Sequence, residues 1–202
     1  ENDEKIVKRS GAKPNDLLIA TGDLGGAYMG LQILEREHAV FLTNPNMQPE
    51  MEGYDYILQR QLKPEARTDI KAKFDELGVI PTSMIDISDG LASEILHLSD
   101  QGNIGFRLYE EKIPMDELTI LTADEFNLNP TMAALSGGED YELLFTISPE
   151  DYDKVKNHPD FTIIGHAVEK EQGNYMILRG SNELSKITAQ GWDAFLNQEA
   201  DN

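Results

Sequence analysis

The chain has 202 residues, 40% of them hydrophobic, which is enough apolar material for one large domain or two small ones. Asp and Glu number 37 against 17 Lys and Arg, a net charge of −20; this opposes binding to nucleic-acid phosphates or anionic lipid and suits contact with anionic ligands through divalent cations. With no cysteine, disulfides, a thiolate nucleophile, iron–sulfur clusters and Cys-ligated zinc are excluded.

The four histidines, His38, His97, His158 and His166, include no pair three to five residues apart, so a His-rich metal site is not expected. No apolar run reaches the ~18 residues of a membrane helix. No charged-then-apolar leader opens the sequence, and the expected compartment is the cytoplasm.

In chain order, residues 1–16 are polar, with Lys8, Arg9 and Lys13 forming a small positive island. That island is either a solvated loop beside acidic neighbours or an anion contact. Residues 17–20 form an apolar run that predicts a buried strand ending at Thr21-Gly22. A glycine turn follows, then a helix carrying Leu24, Ala27, Met29, Leu31 and Leu34. Such a turn either aims backbone amides at a phosphate or serves close packing. Residues 44–53 predict a loop leading to a helix with Tyr54, Ile57, Leu58 and Leu62, which Pro64 stops. A further helix is predicted over residues 67–77, ended by Gly78.

A strand over residues 82–87, the turn Ser88-Asp89-Gly90 and a helix with Leu91, Ile95 and Leu98 come next. Residues 104–109 predict a strand, and residues 114–126 and 130–135 predict helices. After the sharp Ser136-Gly137-Gly138 turn, strands are predicted over 142–147, 161–168 and 175–178, with helices over 149–157 and 188–197. Helices and strands alternate without strict βαβ regularity, so the expected class is α+β, a mixed or antiparallel sheet packed with helices.

Ile85-Asp86-Ile87-Ser88-Asp89-Gly90 carries the clearest chemistry. Asp86 ends an apolar strand, and Asp89 follows at the start of a helix. Mg2+ favours oxygen ligands, typically one or two carboxylates plus phosphates, and a helix start offers amides to a phosphate. The same residues serve equally as a helix cap and a strand-end acceptor. In Ser136-Gly137-Gly138-Glu139-Asp140-Tyr141-Glu142, three acids follow two glycines. They read either as a charged turn or as carboxylates balanced by a cationic ligand or metal. Trp192, the one tryptophan, suits stacking on a cationic ring or anchoring a terminal helix.

Four segments, in order, resemble the thiamine-monophosphate kinase family. They are Lys8-Arg9-Ser10-Gly11-Ala12-Lys13-Pro14-Asn15-Asp16, Thr21-Gly22-x-Leu24-Gly25, Met84-Ile85-Asp86-Ile87-Ser88-Asp89-Gly90-Leu91 and Ala134-Leu135-Ser136-Gly137-Gly138-Glu139-Asp140-Tyr141-Glu142-Leu143. Gly165 and Gly191-Trp192 stand where the family has a late glycine and an aromatic, so the resemblance runs from about Arg9 to Trp192. Its broader superfamily includes aminoimidazole ribonucleotide synthetase and selenophosphate synthetase, and the resemblance implies the fold of that superfamily's C-terminal domain.

The resemblance further implies ATP-dependent, Mg2+-dependent phosphorylation of thiamine monophosphate to thiamine diphosphate, by direct transfer. Residue by residue, Arg9 and Ser88 resemble nucleotide contacts, Asp86 and Asp89 resemble metal ligands, and Glu139 and Trp192 resemble acceptor-binding residues. The family's N-terminal Gly-Asp-Asp and Gly-Gly-Asp motifs do not occur here, and Gly22-Asp23-Leu24 is no substitute. The chain is therefore expected to be the family's C-terminal domain. Residues 1–16 would be the inter-domain connection and nucleotide-contact loop, and 17–202 one α+β domain. Alone it is expected to have little kinase activity and to be monomeric, the complete protein being a homodimer. Nucleic acid and membrane are not expected partners. Two alternatives stand beside this reading: another ATP-using enzyme of the superfamily, and a non-catalytic domain that binds thiamine phosphates.

Overall fold

Short apolar runs bounded by turn residues become the strands of a mixed sheet in the computed structural model, which describes residues 6–189. The strands are β1 (Leu17–Thr21), β2 (Ser83–Ile87), β3 (Gly105–Tyr109), β4 (Glu142–Ile147), β5 (Phe161–Val168), β6 (Asn174–Ile177) and β7 (Leu184–Lys186). Among the described residues they lie in the order β2-β4-β1-β5-β3-β6-β7. Neighbours pair antiparallel, except β3 with β6, which are parallel.

The helices are α1 (Gly26–Thr43), α2 (Asp55–Leu62), α3 (Ile70–Leu77), α4 (Leu91–Gly102), α5 (Glu117–Glu125), α6 (Pro130–Ser136) and α7 (Tyr152–Val155). Side-chain alternation sends successive strand residues to opposite faces, and both faces are covered. Leu18, Ala20, Ile85, Ile87 and Leu144 pack with Leu91, Ile95 and Leu98 of α4. Ile19, Phe145 and Ile147 pack with Ile70 and Phe74 of α3 and Val155 of α7. Phe74 meets Phe145 edge-on, their ring centres 5.0 Å apart. A third cluster, Met29, Ile33, Ile57, Ala123 and Ala133, joins α1, α2, α5 and α6 helix to helix.

The α+β expectation holds, and several element limits move for identifiable reasons. Helix α1 runs on to Thr43. Helix α3 starts at Ile70, after Arg67 has committed its guanidinium to Asp69, Glu142 and Asp160. Helix α5 starts at Glu117, where the Asp116 carboxylate accepts the Leu118 N–H at 2.8 Å and so caps it. The helix expected over 149–157 is a 3-10 turn (Pro149–Asp151) followed by the single turn of α7. Strand β7 was not expected. Of the helix expected over 188–197, Thr188 and Ala189 are not helical, and the remainder, with Trp192, lies outside the described residues.

Residues 8–16 are stitched to the sheet. The Met84 N–H donates to the Lys8 carbonyl at 3.0 Å, and Ala167 and residues 15–16 exchange backbone bonds of 2.8–2.9 Å. The Asp16 carboxylate accepts from the Lys13 N–H and the Thr82 hydroxyl.

Candidate functional site

Strand β2 buries Ile85 and Ile87 and, by alternation, turns Asp86 out to solvent. The desolvation that a carboxylate between two isoleucines threatens is thus avoided. Beyond β2, Asp89 is exposed and Ser88 half-buried. Neither caps α4: Gly90 is the cap residue, and no side chain makes a cap hydrogen bond there. Glu94, one turn inside the helix and only 2% exposed, reaches back instead. It accepts the Asp89 N–H at 3.1 Å and the Ser88 hydroxyl at 3.5 Å. Burial raises the Glu94 pKa, the Asp89 N–H opposing it. The capping reading of Ser88 and Asp89 is therefore corrected, and both Asp carboxylates stand open to a ligand.

The loop after α6 lies directly on this turn. The Glu139 N–H donates to the Ser88 carbonyl at 2.7 Å, and the Tyr141 N–H to the Ile87 carbonyl at 2.9 Å. A Cβ on Gly138 would lie 2.7 Å from the Ser88 carbonyl oxygen, so the contact needs glycine. Glu139 and Tyr141 both hold left-handed backbone, φ 63° and 52°, a conformation that costs a non-glycine residue about 1 kcal/mol or more and gathers at functional sites. The Tyr141 hydroxyl donates to Glu139 Oε2 at 3.0 Å. That bond raises the Tyr141 pKa, with smaller contributions from the charges of Asp86 and Asp89. Asp86, Asp89, Glu139 and Tyr141 thus share one acidic, solvent-facing patch.

The other two acids of the second motif face inward. Asp140 is 2% exposed and accepts the Gly25 N–H at 2.8 Å and the Ala27 N–H at 3.4 Å, at the start of α1. Burial lifts its pKa to about 6, against those bonds and the Arg60 charge. Glu142 accepts from Arg60 at 3.0 Å, from Arg67 at 2.6 Å and from the Thr21 hydroxyl. Two readings left open by the sequence are decided here. Asp140 and Glu142 are balanced by Arg60 and Arg67, leaving Glu139 alone for a ligand. The glycine turn before α1 is no phosphate cradle, because Asp140 occupies its amides.

Arg9 is exposed, one residue beyond the Lys8 contact to β2, the strand that bears Asp86. Asp23 accepts the Tyr56 hydroxyl, an internal role. Gly165 is a packing residue, since a Cβ there would lie 2.1 Å from the Arg107 carbonyl oxygen. A groove of about 130 Å³ is lined by Ala92, Leu135, Ser136, Met176, Ile187 and Thr188 among others, and by none of the four patch residues. Sequence reasoning missed Glu94, Tyr141, Arg60 and Arg67. Glu94 follows Gly90 at a spacing suited to capping from within the helix; the two arginines carry no local signal.

As a cation site, the patch offers only oxygen donors. Among the described residues no group of three or more His, Cys, Asp or Glu side chains is gathered closely enough to hold a metal ion. The oxygen donors of Asp86 and Asp89 are of the kind Mg2+ prefers, one or two carboxylates completed by phosphate and water. Among the described residues no helix is long and apolar enough to cross a membrane.

No family model matches the chain. It is 31% identical over 189 residues to the thiamine-monophosphate kinase of Pyrococcus horikoshii, covering 94% of this chain and 53% of that protein. The thiamine-monophosphate kinase of Escherichia coli is 32% identical over 200 residues, 95% of this chain and 56% of that protein. A solved structure of AaThiL complexed with AMPPCP and TMP superposes with a TM-score of 0.77 at 30% identity, covering 95% of this chain and 55% of that one. The chain spans about half the length of the curated relatives it matches.

Proposed function

We propose, from its similarity to the thiamine-monophosphate kinases across 94% of its length, that the chain is the C-terminal portion of an enzyme phosphorylating thiamine monophosphate to thiamine diphosphate with ATP and Mg2+. In that reaction the γ-phosphoryl group moves from ATP to a phosphate oxygen of the acceptor. A new P–O–P linkage forms, the β–γ linkage breaks, and ADP leaves. Phosphoryl transfer asks the protein for positioning and charge compensation more than for a strong base.

The observation that carries this reading is the seating of residues 137–141 on residues 87–90, which gathers Asp86, Asp89 and Glu139 on one face. Asp86 and Asp89 hold Mg2+, which when bound offsets phosphate charge. Ser88 and the first amides of α4 face the nucleotide phosphates, and Arg9 contacts a phosphate from the segment along β2. Glu139 meets the cationic thiazolium of the acceptor, together with Trp192, whose face suits a cationic ring. The remaining metal and nucleotide contacts come from the part of the complete protein that this chain, covering 53–56% of its relatives, does not span. The setting is cytoplasmic, where ATP is supplied. The complete protein is a homodimer and this chain alone a monomer, which sedimentation velocity distinguishes.

The test is turnover of ATP and thiamine monophosphate by the complete protein, followed by thiamine diphosphate formation, beside the same assay on this chain alone. The expected result is Mg2+-dependent product from the complete protein and little from the chain. No product from the complete protein would overturn the assignment.

A further inference from the structure

Resting on the acceptor role proposed for Glu139, we propose that Tyr141 is its positioning residue, the phenol hydroxyl holding the Glu139 carboxylate in the pose that receives the cationic ring of the acceptor. Three consecutive residues divide the work. Asp140 points inward and is fixed by the Gly25 and Ala27 amides. Glu139 and Tyr141, on either side of it, are pinned at their N–H groups by the Ser88 and Ile87 carbonyls. The backbone is therefore set, in left-handed conformation at both positions. What is not set by the backbone is the Glu139 side chain, exposed and with several rotatable bonds.

The Tyr141 hydroxyl, 3.0 Å from Glu139 Oε2, restrains it. Tyrosine is a stiff arm, with two side-chain torsions. It is also a neutral donor. A lysine or arginine in its place would hold the carboxylate equally well but cancel the charge that a cationic ligand needs. The bond engages one carboxylate oxygen and leaves the other for the ligand. Because the bond lies at the surface, its weight in folding is small, which makes a purely structural purpose a poor account of two strained residues.

The test is steady-state kinetics of the complete protein with Tyr141→Phe, Glu139→Gln and the double variant. Tyr141→Phe keeps the ring and removes only the hydroxyl. It is expected to raise KM for thiamine monophosphate roughly tenfold, the loss of one hydrogen bond to a charged group. The KM for ATP, kcat and the melting temperature should hardly move. Glu139→Gln should raise the same KM, and adding Tyr141→Phe to it should change little more, because the hydroxyl acts through the carboxylate. An unchanged acceptor KM in Tyr141→Phe, a fall confined to kcat, or full additivity in the double variant would overturn the positioning role. A wild-type protein that makes no thiamine diphosphate overturns the functional reading itself, whereas an active wild type with an indifferent Tyr141→Phe sinks only this inference.

Discussion

The backbone N–H of Glu139 meets the carbonyl of Ser88 at 2.7 Å, so the loop bearing the proposed acceptor contact is fastened to the turn bearing the proposed nucleotide contact. Neither motif is complete without the other. A shift of the second loop by a fraction of an ångström moves Glu139 relative to Asp86 and Asp89, and catalysis by positioning is sensitive to such shifts.

Gly138→Ala tests that fastening. Its Cβ would sit 2.7 Å from the Ser88 carbonyl oxygen, on backbone of φ 70°. A stability loss of about 1–3 kcal/mol is expected by urea denaturation. In the complete protein the affinity for Mg2+ nucleotide should fall with it. Wild-type stability in this variant would mean that the two loops are not tightly joined.

Asp86→Asn should separate binding from folding. The residue is exposed, so its stability is expected to stay within about 0.5 kcal/mol of wild type. Calorimetric titration of the complete protein should show Mg2+-dependent nucleotide binding weakened roughly tenfold or more. If the variant instead unfolds, Asp86 is a structural residue and the metal role falls.

Glu142→Gln should be far more damaging to the fold than any change in the exposed patch. It removes the acid shared by Arg60 and Arg67 in a largely buried setting, while Asp140 still faces Arg60 and Asp69 and Asp160 still face Arg67, so a loss of about 1–3 kcal/mol is expected. Thermal unfolding of the chain measures it; a melting temperature equal to wild type would show that Asp140, Asp69 and Asp160 suffice to balance the two arginines.

Asp140 gives a pH dependence with a definite sign. Its pKa is about 6 in the folded chain against an ordinary 3.8, so between those values the folded state binds more protons than the unfolded. The contribution of this group to stability is therefore largest below about pH 4, falls as pH rises to about 6, and is level above. Asp140→Asn does not titrate. The difference between wild-type and variant unfolding free energies should slope across that window and flatten above it. Parallel curves from pH 4 to 7 would contradict the raised value.

Much of this arrangement was legible in local sequence. Strands β4 and β5 match the expected limits because each is an apolar run between turn residues, and Asp86, Ser88 and Asp89 stand where a strand meets a helix. Contacts that depend on distant charge were not legible. Arg60 and Arg67 reach Glu142 across 82 and 75 residues of sequence, and no local pattern distinguishes them from solvated helix residues. Strand β7, Leu-Ser-Lys with two of its three residues exposed, is too short and too polar to show alternation; its backbone pairing with β6 alone defines it.

Strand β2 lies at the margin of the sheet, and the run through Lys8 and Gly11 lies against its outer side, the Lys8 carbonyl taking the Met84 N–H. An uncovered strand margin is a template for pairing with another chain. Trimming residues 6–11 would therefore leave the strand that carries Asp86 open to self-association, with turbidity or light scattering rising at a given concentration. A phosphate at the contact proposed for Arg9 would tie that cover down further.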